Sequence, residues 1–533
     1  MKFRFLFILT GLVLLLLLDS CARRGRPTGG EKDSTAPILI TAQPDHLTTN
    51  FKDKKIRLNF DEYIKLKDVN KQLVISPPMK HKPIINPVGT VSKFISIKIL
   101  DTLKENTTYT FNFGNSIEDN NENIPLKRFK YVISTGDYID SLKVVGKIKD
   151  AFKNTTDENI SVLLYEVTEE FNDSIIYNQR PDYITNTLDT IIYEISHVKS
   201  GKFLMVAIDD KNSNYQFDPQ QEKIAFLEDF ITLPTDSAYD FNLFKEEPEF
   251  KFTRPSQVKK GHIYFGYQGN GENIKIDILS DIPQDFKSEI IFDKELDSIS
   301  YWYSPIEKDS LEFEISNLDF KEKVVIKLPS KEIDSLLISS PVKGVLSLRN
   351  LFSVESNIPI AKIDKTKIIF IDKDSTNVSF TPEINTSKLS MNLNFEKEYK
   401  NKYNVTFLPS AIEDLFGNVN DTLKYSFTTK HPEDYGIINL SLESIQNYPI
   451  IVELTDDKSK LIESVYVTEK RKVKFENLSP NNYQVRIIYD TNENQKWDTG
   501  SYLKKVKPEK TEYHFELFEV RANWALNENF TLK

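Results

Sequence analysis

A nine-residue loop that occurs twice constrains this chain more than any other stretch. It reads Asp210-Lys211-Asn212-Ser213-Asn214-Tyr215-Gln216-Phe217-Asp218 in the first half and Asp490-Thr491-Asn492-Glu493-Asn494-Gln495-Lys496-Trp497-Asp498 near the end. Both fit Asp-x-Asn-x-Asn-x-x-aromatic-Asp. Each follows a run rich in β-forming residues, 203–208 and 483–488. A strand that delivers the chain into an acidic turn, repeated at such a distance, implies at least two copies of one β module.

A second repeat runs in step with the first. Ser116-Ile117-Glu118-Asp119 precedes the β run Tyr131-Val132-Ile133-Ser134-Thr135, and Ser410-Ala411-Ile412-Glu413-Asp414 precedes Tyr425-Ser426-Phe427-Thr428-Thr429. The two repeats recur at nearly the same separation. The simplest account is duplication of a two-module unit, a sandwich followed by a loop-bearing domain.

The length of 533 residues calls for about three to five domains. With 35 Phe and 24 Tyr, the chain has ample material for several β cores. Lys and Glu are interspersed and the net charge is -10, which disfavours nucleic acid as a partner.

The N-terminus reads as an export signal. Lys2 and Arg4 precede an almost continuous apolar run over 5–18, too short for a good membrane-spanning helix. Leu18-Asp19-Ser20-Cys21 then resembles a bacterial lipobox, with Asp19 a departure from it. The resemblance implies cleavage after Ser20 and acylation of Cys21, the only cysteine. A disulfide within the mature chain is therefore excluded. Arg23, Arg24 and Arg26 make the following tether basic. Surface-bound lipoproteins of the Bacteroidota often carry an acidic run there instead, so the periplasmic face of the outer membrane is favoured, with the cell surface as the alternative.

Beyond Ala36-Pro37 short period-two runs alternate with turn signals, as in Lys55-Ile56-Arg57-Leu58-Asn59-Phe60 and Thr107-Thr108-Tyr109-Thr110-Phe111-Asn112-Phe113. Ala36-Pro37, the stretch Ile56-x-Leu58-x-Phe60-Asp61-Glu62 and the Ile117-Glu118-Asp119 corner resemble the SbsA Ig-like (Big_5) module. The segments 144–148, 160–165 and 201–210, with their later counterparts, resemble transthyretin-like or carboxypeptidase-regulatory-like sandwiches. The expected fold is all-β: tandem Ig-like and transthyretin-like β-sandwich domains in an elongated array after a lipoprotein signal peptide. The expected divisions are signal peptide 1–20, lipidated Cys and tether 21–35, Ig-like sandwich 36–137, transthyretin-like sandwich 138–254, a β-sandwich of uncertain type 255–344, second Ig-like sandwich 345–431 and second transthyretin-like sandwich 432–533.

The repeated loops carry the oxygen spacing of a calcium loop at Asp210, Asn212, Asn214 and Asp218, and at Asp490, Asn492, Asn494 and Asp498. Glycine is missing at the sixth position, where Tyr215 and Gln495 stand. No acid stands at the twelfth, occupied by Gln221 and Ser501. Weakly bound calcium is one reading. An Asx-rich turn satisfying its own backbone is the favoured one, with Phe217 and Trp497 pinning the loop to the sandwich. No other cofactor is expected.

Nothing points to catalysis. His46, His81, His197, His262, His431 and His514 are scattered, and no nucleophile elbow or phosphate loop occurs. Glu118-Asp119 and Glu413-Asp414 are paired carboxylates, read as turn caps before a hydrolase. Asp-Ser/Thr-small/apolar triplets offer Ser34, Ser141, Ser174, Ser237, Ser310 and Thr422 as O-glycosylation acceptors by resemblance to exported Bacteroidota proteins; turn chemistry is the alternative. Tyr301-Trp302-Tyr303 and Trp524 are either core or sugar-stacking aromatics, with core favoured for most. The function expected is a non-catalytic envelope lipoprotein acting as a structural, scaffolding or adhesive rod. Its expected partners are the membrane, through the anchor, and an envelope protein or glycan. A glycan- or peptidoglycan-binding protein is the alternative.

Overall fold

The computed structural model describes residues 33–155, 157–293, 296–329, 332–385, 387 and 389–531. The signal segment, Cys21 and the basic tether lie outside the described residues. The fold is all-β, as expected. Among the described residues the α-helices are single turns, Val69–Gln72 and Ile175–Asn178, and no helix is long and apolar enough to cross a membrane. The chain divides into two compact units. The first holds the chain up to Lys143 with Asp182–Leu188 and Ile195–Ser200; the second holds the remainder.

The first unit is organised by Lys55–Leu66. Its period-two pattern turns Ile56, Leu58, Phe60 and Ile64 into the core and leaves Lys55, Arg57 and Asp61 outside. It pairs on one side with Leu39–Gln43 and on the other with Ser92–Lys98, which pairs in turn with Ile84–Asn86. A facing sheet of Val74–Ser76, Thr108–Asn112 and Lys130–Ser134 supplies Ile75, Tyr109, Phe111, Tyr131 and Ile133. The two inner faces form one apolar core, as in a β-sandwich. The distant segments that complete the unit are held by hydrogen bonds: Ile184 N–H donates to Ser76 Oγ at 3.0 Å and Lys130 Nζ to Ser196 Oγ at 2.9 Å.

In the second unit the two loop-bearing domains have the same strand topology. Ser161–Glu166 pairs antiparallel with Gly201–Ile208, which also takes Ile224–Phe226 and Ile231–Leu233. In the later copy Ile450–Asp456 pairs with Asn481–Tyr489, which takes Thr511–Tyr513 and Phe518–Val520. Each copy ends on a parallel pairing with its own opening strand. Phe241–Leu243 lies beside Leu142–Asp150, and Ala525–Asn529 beside Gly436–Ser441. The duplication read from two loops thus extends to the whole domain.

Between them lie two further sandwiches. One joins Lys251–Lys259, His262–Gln268, Ser298–Tyr303 and Ser288–Asp293 to a sheet of Lys275–Ile278, Ser310–Asn317 and Phe320–Lys327 around Phe265, Tyr301, Leu311 and Phe313. The other repeats the plan of the first unit with a difference. The position of the long strand Lys55–Leu66 is taken by two strands, Phe352–Ser356 and Ile360–Ile363, divided around Pro359, which has no N–H to donate. Trp302 joins these two sandwiches in an apolar cluster with Ile291, Ile358 and Leu415, its ring 6.2 Å from that of Phe416. Arg349 then bonds Glu463 and the carbonyl of Glu476 on the last domain.

Gly146 shows how tightly the opening strand of the first loop-bearing domain is approached. A Cβ there would stand 1.8 Å from the carbonyl oxygen of Tyr239 and 2.5 Å from the hydroxyl of Tyr193. Backbone that close cannot yield as a side chain does. Gly146→Ala is therefore expected to lower stability by about 3 kcal/mol. Urea denaturation should show the shifted midpoint.

Candidate functional site

The two acidic loops are closed from inside. In the first, Asp210 accepts the backbone N–H groups of Asn214 and Tyr215 at 3.2 and 3.0 Å, and Asn214 Oδ1 accepts that of Gln216 at 2.8 Å. In the second, Asp490 accepts those of Asn494 and Gln495 at 3.1 and 2.8 Å, and Asn494 Oδ1 accepts that of Lys496 at 3.0 Å. Asn492 and Asn494 donate their side-chain amides to Asp498 Oδ2, each at 2.6 Å. In the first copy Asn212 is exposed, and Asp218 Oδ1 accepts the N–H of Gln220 at 3.0 Å. Asx side chains bonding backbone two to five positions on are the chemistry of a tight turn.

The sixth position adopts the conformation that glycine would favour, without glycine. Tyr215 has φ 61° and Gln495 φ 64°, and the fourth positions, Ser213 and Glu493, are also left-handed at 53° and 62°. Non-glycine residues are strained there, and the repeated amide bonds to Asp210 and Asp490 hold them in place.

One residue in each copy was not singled out by sequence. Glu222 accepts the N–H of Lys211 at 3.0 Å with one oxygen and that of Asp218 at 2.9 Å with the other. Glu509 accepts the N–H of Thr491 at 2.6 Å and of Asp498 at 3.2 Å, at the equivalent positions, and the hydroxyl of Thr491 besides. Both glutamates are buried and clamp the two ends of the loop together. Sequence spacing hid them because Glu222 follows Asp218 within one turn, whereas Glu509 is separated from Asp498 by the longer segment 499–508.

That longer segment binds one loop-bearing domain to the other. Thr499 Oγ1 donates to the carbonyl of Lys245 at 2.5 Å, and the N–H of Tyr502 donates to Glu246. Tyr502, fully buried, meets Phe226 edge-on at 5.4 Å, and Lys505 pairs with Asp173 at 2.7 Å. Lys507 donates to the carbonyl of Phe226. Beside it, Trp497 lies 4.7 Å from Phe152 and donates Nε1–H to the carbonyl of Glu509 at 2.9 Å. Phe217 is buried beside Tyr177, and its N–H donates to the carbonyl of Ile176. Both loop aromatics thus pin their loops. A cleft of about 680 Å³ remains between the two domains, lined by Lys149, Asp240, Lys507 and Phe515 among others.

The paired carboxylates at the Ig-like corners have the same fate. Asp119 accepts the N–H groups of Asn121, Glu122 and Ile124 at 2.8, 2.6 and 2.6 Å. Asp414 accepts those of Phe416 and Asn418, both at 2.8 Å. Glu118 forms an ion pair with Lys67 at 3.2 Å. The two aspartates are turn caps. Among the described residues, no group of three or more His, Cys, Asp and Glu is placed to hold a metal. Of the acceptor hydroxyls, Ser34, Ser141, Ser174, Ser237 and Thr422 are exposed, and Ser310 is half-buried at the start of Ser310–Asn317. Tyr301, Trp302 and Tyr303 are buried, with Trp302 stacked on His262 at 3.9 Å; Trp524 is 53% exposed.

Residues 33–135 match the family of bacterial Ig-like domains, Big_5, which meets the resemblance seen in the first sandwich. No curated protein matches the sequence. Among solved structures, the S-layer protein rSbsC is similar at 11% identity over 87% of this chain and 65% of its own, with a TM-score of 0.15. The chain thus spans less than two thirds of that protein. The major pilin subunit BcpA of Bacillus cereus is similar at 10% identity over 74% of this chain and 100% of its own, TM-score 0.14. The BSP domain of a biofilm associated protein is similar at 9% identity over 88% and 97%, TM-score 0.15. Likenesses this distant carry no ligand and no partner over to this chain.

Glu222→Gln and Glu509→Gln each replace an acceptor oxygen by an N–H donor facing another N–H. Each is expected to cost about 1–3 kcal/mol and to speed amide exchange at Asp218 or Asp498. Hydrogen exchange read by mass spectrometry would show whether the loosening is confined to the altered copy.

The pH dependence has a definite sign. Burial pushes Glu222, Asp210 and Glu246 above their ordinary values, outweighing the hydrogen bonds they accept. Each contributes stability that is fully present below its ordinary value and lost as pH rises through its raised folded value. Asp119 behaves oppositely. Burial opposes its charge, but the amides of Glu122, Ile124 and Asn121 outweigh it and hold the group below its ordinary value. Its contribution is present above the ordinary carboxylate value and lost as pH falls through the lowered folded one. Exchange protection near Glu222 is expected to rise on mild acidification from neutral pH, less so in Glu222→Gln. Protection at the Asp119 corner is expected to fall in stronger acid, and Asp119→Asn should remove that dependence.

Proposed function

We propose that this protein is a non-catalytic lipoprotein of the bacterial cell envelope, anchored through Cys21, whose β-sandwich domains act as a structural, scaffolding or adhesive array. The observation that carries the reading is the use of its repeated acids. At both loops and both corners an aspartate or glutamate accepts the protein's own backbone N–H groups, which points to rigidity as the use of these motifs. An adhesive or spacing role needs firm surfaces more than a reactive cleft. The basic tether favours the outer membrane with the domains on the periplasmic side.

Weak calcium binding at the loops is part of this proposal only as a competitor for those bonds. A thermal shift on adding calcium chloride, lost in Asp490→Asn, would support it, and no shift would remove it. Glycosylation of the exposed acceptors Ser34, Ser141, Ser174, Ser237 and Thr422, and of Ser310, is likewise read from intact mass.

A second reading, glycan capture, is favoured by Trp524 alone, whose exposed ring lies under the Arg521 guanidinium at 5.1 Å. Retention on peptidoglycan or a polysaccharide column that Trp524→Ala abolishes would support it. Trp302 is buried and offers no such platform.

Protease treatment of intact cells is the deciding experiment for location. An epitope at the C-terminus is expected to survive in intact cells and to be digested once the outer membrane is opened. Loss from intact cells would put the domains outside. Mass analysis of the N-terminal peptide should find Cys21 acylated.

A further inference from the structure

We propose that the outer face of the first sandwich, where Lys55–Leu66 and Ser92–Lys98 pair, is a docking surface for the anionic phosphate headgroups of the bilayer that holds the lipid anchor. The proposal rests on the anchored reading given above.

Three observations meet on this face. The register places Lys55 directly opposite Lys98. Like charges so placed repel and destabilise the strand pair. Lys54 and Arg57 line the same groove of about 830 Å³, and its one carboxylate is Asp53. Lys54, Lys55, Arg57 and Lys98 are exposed, and Arg57 lies over Phe94 at 3.4 Å, its guanidinium held in place by the ring. On a chain of net charge -10, four cations against one acid make a local field of the opposite sign. Exposed Ile84 at the groove's rim adds an apolar contact suited to the boundary below headgroups.

The occupant follows from the chain that precedes this domain. The described fold begins at Asp33, twelve residues after Cys21. Fully extended, that stretch reaches at most about 40 Å, so an acylated Cys21 keeps the face within reach of the membrane at high effective concentration. Arg23, Arg24 and Arg26 give the tether a charge of the same sign. A lysine beside an anionic bilayer contributes about five-fold in affinity, so three lysines amount to roughly a hundred-fold.

The test uses the mature chain with Cys21→Ser, free of lipid, and flotation with vesicles of phosphatidylcholine alone or with phosphatidylglycerol added. The parent is expected to float only with the anionic vesicles and to be released by salt. Lys54→Gln, Lys55→Gln and Lys98→Gln combined are expected to weaken binding on the order of a hundred-fold. The same variant should melt no lower than the parent, because it removes a repulsion, and this separates lost docking from lost fold. Replacing Arg23, Arg24 and Arg26 by Gln is expected to weaken binding as well, but to leave a salt-sensitive remainder that the three lysine substitutions remove. The proposal is overturned if the parent ignores anionic vesicles, if the triple lysine variant binds as the parent does, or if the arginine variant alone abolishes binding. Failure of the anchored reading itself would appear elsewhere, as an unmodified Cys21 in protein made by its own cells.

Discussion

A buried glutamate that accepts the two ends of an acidic loop is the contact on which the paired loop-bearing domains depend. Glu222 and Glu509 each bind the N–H after the first loop aspartate and the N–H of the last. Without that clamp, a loop with two left-handed non-glycine residues would have many looser conformations open to it. With it, the aromatic at the eighth position is held against the sandwich. In the later copy this also sets the origin of the segment that reaches the other domain.

That segment separates two copies that are otherwise built alike. Between Asp498 and Glu509 the chain carries Gly500, Tyr502, Lys505 and Lys507; between Asp218 and Glu222 there is room for little beyond a turn. A Cβ on Gly500 would come within 2.8 Å of the Phe244 ring, so the close approach depends on its absence. Duplication supplied the scaffold, and one extended turn supplied the surface by which the two products hold each other. In this unit, neighbours in space include modules far apart in sequence.

The corner acids are engaged with the fold itself. A general base needs a carboxylate with a free lone pair facing a cleft. Asp119 and Asp414 face their own turns, and Glu118 faces Lys67. The first sandwich distributes charge differently on its outside, where Lys55 and Lys98 stand opposed.

Much of this could be read in the chain itself. Alternation in 55–60 gave the inward Ile56, Leu58 and Phe60, because a strand has only two faces and water selects between them. The repeated loop and corner gave the duplication, because local turn chemistry leaves a fixed spacing of Asp and Asn. Glu222 and Glu509 left no such spacing, since a buried carboxylate can come from any residue that the sheet returns to the loop. Nor could the sequence show that Ile184 and Ser196 complete the first unit, that Trp302 would be buried against Phe416 while Trp524 stayed exposed, or that Tyr502 would lie beside Phe226. Sequence by itself determined the strands, their inner faces and the repeat, all governed by forces between near neighbours. Tertiary structure alone decided which distant strands and domains meet, because apolar burial and amide satisfaction depend on what the whole fold brings together.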